Sequence, residues 1–453
     1  MTIAILIAYL AIQFFISLYI SRGIKSESDY LLAGRQVGFW LASFSLFATW
    51  FGAETVMGSS GAVAAQGLSG GRADPFGYTI CLILFGLLIS YKMRAQAYMT
   101  LGDFFRDKYG RATEILSIIV MTPTSLFWAA AQILALGHIL SSLLGVDLTH
   151  AILAGLGAVM VLTWLGGMMG DIVTDFIQGV VMAVGLGLIL LFVFIQHGHT
   201  IDVSHALSSV RLSLIAPDES LMAQIDTWMI AIVGSLMAQE AISRILATKS
   251  PSVARQSCFG AAGLYITVGL MPVLVGLFAY NFIQAGDDSD GFLPKLAENI
   301  LPYPAYVIFI GALVSAIMST VNSTLLAVSA LLGHNIIHPL LKTDEKKKVM
   351  VDRLIVILSA IAVFFIATSG ENIFGLIELS STFGAAGLVV TIIAGLWLKR
   401  TSPLAGLITI IAGTLITITA TMLEWEATFT PALVICTFIY ITSNIWLYKK
   451  VTE

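Results

Sequence analysis

Ala48-Thr49-Trp50-Phe51-Gly52-Ala53-Glu54-Thr55, followed after two residues by Gly58-Ser59-Ser60-Gly61, lies inside an apolar stretch long enough to cross a bilayer. Glycines and hydroxyls at that density predict a helix that unwinds at mid-depth. Backbone that leaves the helix within hydrocarbon must line a cavity or bind something. Glu54 sits in the same stretch, where an acid costs roughly 2.5–3.5 kcal/mol on insertion scales. It must therefore face a polar interior. A matching interruption stands at Gly234-Ser235-Leu236-Met237-Ala238-Gln239-Glu240. Interrupted hydrophobic segments at corresponding places in two halves of a chain point to a transporter binding site.

The composition agrees. Of 453 residues, 58% are hydrophobic and 11% charged, with a mean hydropathy of +0.92. Soluble globular chains are about 45–50% apolar and about 25% charged. A soluble enzyme, a nucleic-acid binder and a disordered chain are excluded, and Lys+Arg 23 against Asp+Glu 27 leaves no phosphate-neutralising surplus. Cys81, Cys258 and Cys436 stand far apart in apolar runs, with no metal spacing and no disulfide framework. The reading is an all-α polytopic membrane protein, since the period-2 alternation of a β-barrel is absent.

A bilayer core needs about 20 apolar residues per helix. About thirteen stretches qualify, near 2–21, 39–63, 75–91, 112–142, 149–166, 171–197, 223–247, 254–284, 302–338, 349–369, 371–398, 402–423 and 429–448, numbered here as segments 0 to 12. The first lacks a basic n-region and a cleavage site, so it reads as a span rather than a signal peptide. Basic residues fix the orientation. With the N-terminus outside and the C-terminus cytoplasmic, all Lys and Arg fall on the inner side except Arg72, Arg211 and Lys295. The interruptions then open two five-helix halves, 39–197 and 223–400. An extra helix and inner loop (1–38) precede them, an outer loop (198–222) joins them, and two further helices (401–453) follow.

Segment 8 carries Ala316, Ser319 and Thr320 at spacings of three and four, hence on one helical face. Hydroxyls and a freed carbonyl are hard oxygen ligands, and with no carboxylate adjacent in sequence they suit a monovalent cation. The plainer alternative is that the hydroxyls satisfy neighbouring helix carbonyls. Asp175 in segment 5, Glu240 in segment 6 and Glu378 in segment 10 are further membrane-depth acids. Asp171 reads as a helix N-terminal charge near the inner interface. Glu240 has Arg244 four residues on, so a local pair competes with a binding role. Trp50, Tyr78 and Trp128 lie near the breaks, where packing and pocket lining both remain open.

These residues carry a resemblance to the sodium/solute symporter family across essentially the whole chain. Ser26-Glu27-Ser28-Asp29-Tyr30-Leu31-Leu32-Ala33-Gly34-Arg35 resembles that family's signature after its first helix. Thr174-Asp175-Phe176-Ile177-Gln178 resembles its segment 5 motif, and Met318-Ser319-Thr320 its segment 8 sodium motif. Ala48-Thr49-Trp50, Gly77-Tyr78, Phe127-Trp128-Ala129-Ala130-Ala131 and Leu379-Ser380-Ser381 are similar to the choline-transporter branch. The resemblance implies a LeuT-type fold with inverted repeats in segments 1–5 and 6–10. It also implies a sodium site made by the carbonyls of Ala48, Phe51 and Ala316 with the hydroxyls of Ser319 and Thr320. Asp175 is the candidate for coupling or a second ion, with Phe176 where a second-site hydroxyl would stand. The branch's aromatic cage is partly missing, because Ala238 and Ile377-Glu378 stand at its segment 6 and segment 10 positions.

The expected function is sodium-coupled import of a small polar organic solute, with amine-bearing solutes favoured by Glu54, Glu240 and Glu378. Trp50, Glu54, Thr55, Tyr78, Trp128, Gln239, Glu240 and Glu378 are the expected solute contacts. The partners are the solute, sodium and the lipid bilayer, with no organic cofactor, no nucleic acid and no obligate protein partner. The alternative is a transporter-like membrane sensor serving a separate signalling protein. No Walker stretch, H-E-x-x-H or Ser-His-Asp set supports an enzyme.

Overall fold

The computed structural model describes residues 2–197, 202–217, 219–282, 291–369, 376, 380 and 384–452. Among the described residues it is all-helical, with one isolated bridge between Val37 and Thr248. Nine helices among the described residues are long and apolar enough to cross a membrane, ten if a bent pair counts as one span. The difference from thirteen expected spans lies at the breaks. Leu148–His197 runs through a kink at Gly167 (φ 51°) that joins two helices, segments 4 and 5. Segment 1 divides into Phe39–Trp50 and Ser59–Gln66, and of segment 10 only Ala385–Trp397 is a described helix.

Both predicted interruptions are present. Segment 1 leaves the α-helix at Phe51 (φ −79°, ψ 74°) and resumes as a π-helical turn, Glu54–Gly58. Segment 6 is Leu221–Ile232, a 3-10 turn at Gly234–Met237, an extended Ala238, and Gln239–Ala247, with a bend of 49°.

Segment 8, Tyr303–Leu332, is the central post. The most apolar window of the span Tyr303–Leu341 is 78% buried, against 17% for the first helix. Its row Ala312, Ser315, Ala316, Ser319 and Ser323 is small and buried throughout. Small residues let helix backbones approach closely, which matters where lipid supplies no hydrophobic drive between helices. Segments 4 and 5 pack on it more extensively than any other element.

The two ends of the bundle are fastened differently. At one end the helix Leu101–Tyr109 begins with a capping box between Thr100 and Asp103. Thr100 donates to Asn335 (2.6 Å), and Asn335 donates to Asp103 (3.0 Å) and to buried Glu114 (2.9 Å). Arg106 and Arg111 pair with the same Glu114 at 2.7 Å. At the other end Arg72 grips both carboxylate oxygens of Glu219, and Arg211 donates to the carbonyls of Val63 (2.9 Å) and Ala64 (3.2 Å). The three cysteines are free and buried.

Candidate functional site

The break in segment 1 brings its backbone against segment 8. Ser319 Oγ lies 3.2 Å from the Ala48 carbonyl oxygen and 2.5 Å from Asp175 Oδ1. Thr320 Oγ1 lies 3.1 Å from the Ala316 carbonyl. Ala48, Phe51, Ala316, Ser319 and Thr320 are all buried. Gly52 permits this approach, since a side chain there would come within 2.5 Å of Gln132 Oε1 and 3.1 Å of Thr320 Oγ1. Gln132 in turn accepts from the Ala53 N–H at 2.8 Å, so it holds the first amide beyond the break. Nothing in the sequence singled out Gln132, although it stands one helical turn after Trp128. Of the five residues named for sodium, Ser319 meets Ala48 across the break, while the Thr320 hydroxyl bonds the carbonyl one turn back on its own helix, the plainer arrangement the sequence left open.

Behind that pocket lies a buried charge cluster. Arg244 of segment 6 donates to Asp171, to Asp175 (3.2 Å) and to the Ser323 hydroxyl. Asp171 also accepts from Asn322 (2.6 Å), and Asp175 from Ser45 (2.5 Å). All three side chains are at most 1% exposed. Two local expectations are corrected here. Asp171 follows the Gly167 kink but is buried and paired, not an interfacial helix-end charge. Arg244 reaches Glu240 through its backbone carbonyl (3.1 Å), while its side chain turns to the two aspartates. One guanidinium nitrogen, Nη2, serves both aspartates and Ser323, while Nη1 reaches back to the Glu240 carbonyl.

Beside the two breaks opens a small cavity of ≈ 70 Å³. Trp50, Tyr78, Trp128, Gln239 and Glu240 line it, as do Thr124, Ser125 and Ser380. The Trp50 and Tyr78 rings are 5.8 Å apart. The Glu240 carboxylate meets the Trp50 side chain, and Gln239 Oε1 accepts from the Leu101 N–H at 2.9 Å. Gln239 therefore joins the cavity wall to the start of the helix Leu101–Tyr109. Two expected solute contacts lie elsewhere. Thr55 is buried behind the wall, 2.5 Å from Asp74 and 3.0 Å from Tyr265. Glu54 is next to it and is not among the residues lining the cavity. Glu378 is outside the described residues. The Asp74–Tyr265 contact (3.2 Å) was not legible, because 191 residues separate the two.

The sequence profile of the sodium:solute symporter family matches residues 30–413. The chain is 28% identical over 382 residues to the high-affinity choline transporter 1 of Caenorhabditis elegans, covering 79% of this chain and 66% of that one. It is 25% identical over 413 residues to the sodium/proline symporter of Escherichia coli (strain K12), covering 85% and 82%. In structure it is similar to a Na+-coupled sialic acid symporter solved in a substrate-bound outward-open state. The TM-score is 0.83 at 18% identity, over 98% of this chain and 96% of the other. That likeness fixes the architecture as a LeuT-type transporter fold. With a family profile spanning most of its length, broken helices where such a fold has them and a cavity between the breaks, the chain belongs to the sodium:solute symporter family.

Proposed function

We propose that this protein is a sodium-coupled secondary symporter that imports a small polar organic solute by alternating access, with an amine-bearing or cationic solute favoured. Sodium sits among the carbonyls of Ala48, Phe51 and Ala316 and the hydroxyls of Ser319 and Thr320. It holds the broken segment 1 against segment 8, and it drives transport by binding the two access states unequally. The halves 39–197 and 223–400 are the inverted repeats. The N-terminus is outside and the C-terminus cytoplasmic, in the plasma (inner) membrane, as the distribution of Lys and Arg favours.

The observation that carries this reading is the meeting of Ser319 with the Ala48 carbonyl at the unwound stretch. The solute preference rests on the cavity wall. Arg244 is engaged by Asp171 and Asp175, which leaves the Glu240 carboxylate facing the cavity beside Trp50, Tyr78 and Trp128. Aromatic faces and a carboxylate together attract a cation. Relatives named for choline and for proline are consistent with a small nitrogen-bearing solute.

The test needs no substrate. A ligand that binds the folded state raises its stability as RT ln(1 + [L]/Kd). Purified protein is expected to melt higher in Na+ than in K+ at equal ionic strength, and Ser319→Ala/Thr320→Ala to abolish the difference. Equal melting of wild type in both salts, at pH 6 and pH 8, would overturn the sodium assignment. In a solute screen run in sodium, Glu240→Gln is expected to weaken apparent affinity for cationic solutes by roughly ten-fold, the worth of one charged hydrogen bond. Neutral solutes should be spared.

A further inference from the structure

We propose that Glu27, His338 and Asp352 form a binding site for a divalent transition-metal ion of the Zn2+ class, apart from the sodium pocket and the solute cavity. Glu27 opens the short helix Glu27–Leu32. His338 follows the π-helical turn Gly333–Ile337 that continues segment 8, and Asp352 lies in the first turns of Glu345–Ser369. Single π-turns inside longer helices are frequent at functional sites.

The ligand atoms converge, and the His338–Asp352 pair, now at hydrogen-bond distance, would open by about 0.5 Å around an ion. His338 Nε2 lies 2.9 Å from Asp352 Oδ1 and 3.7 Å from Glu27 Oε1, and the three ligand atoms all fall within 4.8 Å of one another. A tetrahedral ion with bonds of about 2.0–2.2 Å separates its ligands by about 3.4 Å. One imidazole with two carboxylates is a mixed nitrogen and oxygen set, suited to a divalent ion of intermediate softness. Three protein ligands leave a fourth position for water.

Burial marks the cluster as built for a charge. The three residues are 4%, 5% and 0% exposed. The second oxygen of Asp352 has no hydrogen-bond partner, although a buried carboxylate oxygen left so is costly. Gly333 keeps the carboxylate in place, since any side chain there would collide with it. The outer contacts orient the ligands: His334 Nδ1 stands 2.6 Å from Glu27 Oε1, and Lys348 Nζ 3.1 Å from Glu27 Oε2. Metal-ligating groups are commonly held by such second contacts. An ion here ties together three elements distant in sequence. The competing arrangement is a plain hydrogen bond between His338 Nε2 and Asp352 Oδ1 with no ion bound.

The test uses the full chain, freed of any histidine tag and stripped with a chelator that is then removed. Co2+ is titrated while its visible ligand-field absorption is recorded, and Zn2+ binding is measured by competition and by melting temperature. Wild type is compared with His338→Gln, Asp352→Asn and a His150→Ala/His205→Ala control. The expected result is one Co2+ bound with tetrahedral-type absorption and displaced by Zn2+. His338→Gln should weaken Zn2+ by at least ten-fold while keeping the sodium-dependent stabilisation, and the control should bind like wild type. If Asp352→Asn does not fold, His338→Gln alone decides. The proposal is overturned by a wild type without metal-specific absorption or stabilisation, or by Zn2+ affinity unchanged in His338→Gln. Because sodium binding is read separately, failure here leaves the symport reading standing.

Discussion

Arg244 shows how much can rest on one side chain. It is 1% exposed and shared between Asp171 and Asp175. Removing one member of a buried ionic cluster strands the others, at a cost of about 3–5 kcal/mol. Arg244→Ala is therefore expected to lower the melting temperature severely or to prevent recovery of monodisperse protein. Arg244→Lys should rescue only in part, because an ammonium lacks the second nitrogen that reaches the Glu240 carbonyl. Gly52 makes the complementary case. Gly52→Ala is expected to retain the fold but lose the stabilisation by Na+, since the added methyl meets Gln132 and Thr320 where segment 1 approaches segment 8. Melting curves in Na+ and K+ check both variants.

At the scale of elements, the interruptions were legible and their partners were not. Segment 1 betrayed its break because glycines and hydroxyls stand where an apolar helix has no use for them. Segment 6 did so through Gly234 and Ser235. Both are local signals. The partner of Arg244 is a long-range fact: the i,i+4 rule pointed to Glu240, and burial against segment 5 chose the aspartates instead. Thr55 misled for the same reason, because it shares the broken stretch with Trp50, which lines the cavity, while its own hydroxyl is claimed by Asp74 and Tyr265. The helix Leu101–Tyr109 offers an element-level test. Thr100 caps it and also donates to Asn335, so Thr100→Val removes both contacts. A loss of about 1 kcal/mol is expected for the cap alone, read as reduced thermal stability with Na+ dependence intact.

For the molecule as a whole, the end that carries Glu27 and Asp103 sets its response to acid. Burial would raise the Glu27 carboxyl, but His334 and Lys348 outweigh it and hold it below the ordinary carboxylate value. Asp103 is likewise opposed by burial and lowered by His334, the Met99 N–H and Arg106. A depressed carboxylate contributes stability that is complete above its unfolded value and lost as pH falls through its folded one. Their contribution is thus expected to fade below about pH 4. Glu27→Gln should flatten that acid limb of the melting temperature. The buried state of Cys81, Cys258 and Cys436 has a practical reach of its own. With the native thiols shielded, one cysteine introduced at each end of the bundle offers a maleimide dye its accessible targets in an otherwise unaltered chain. Energy transfer between two such dyes would then show whether single molecules alternate between two distances as salt and solute are exchanged.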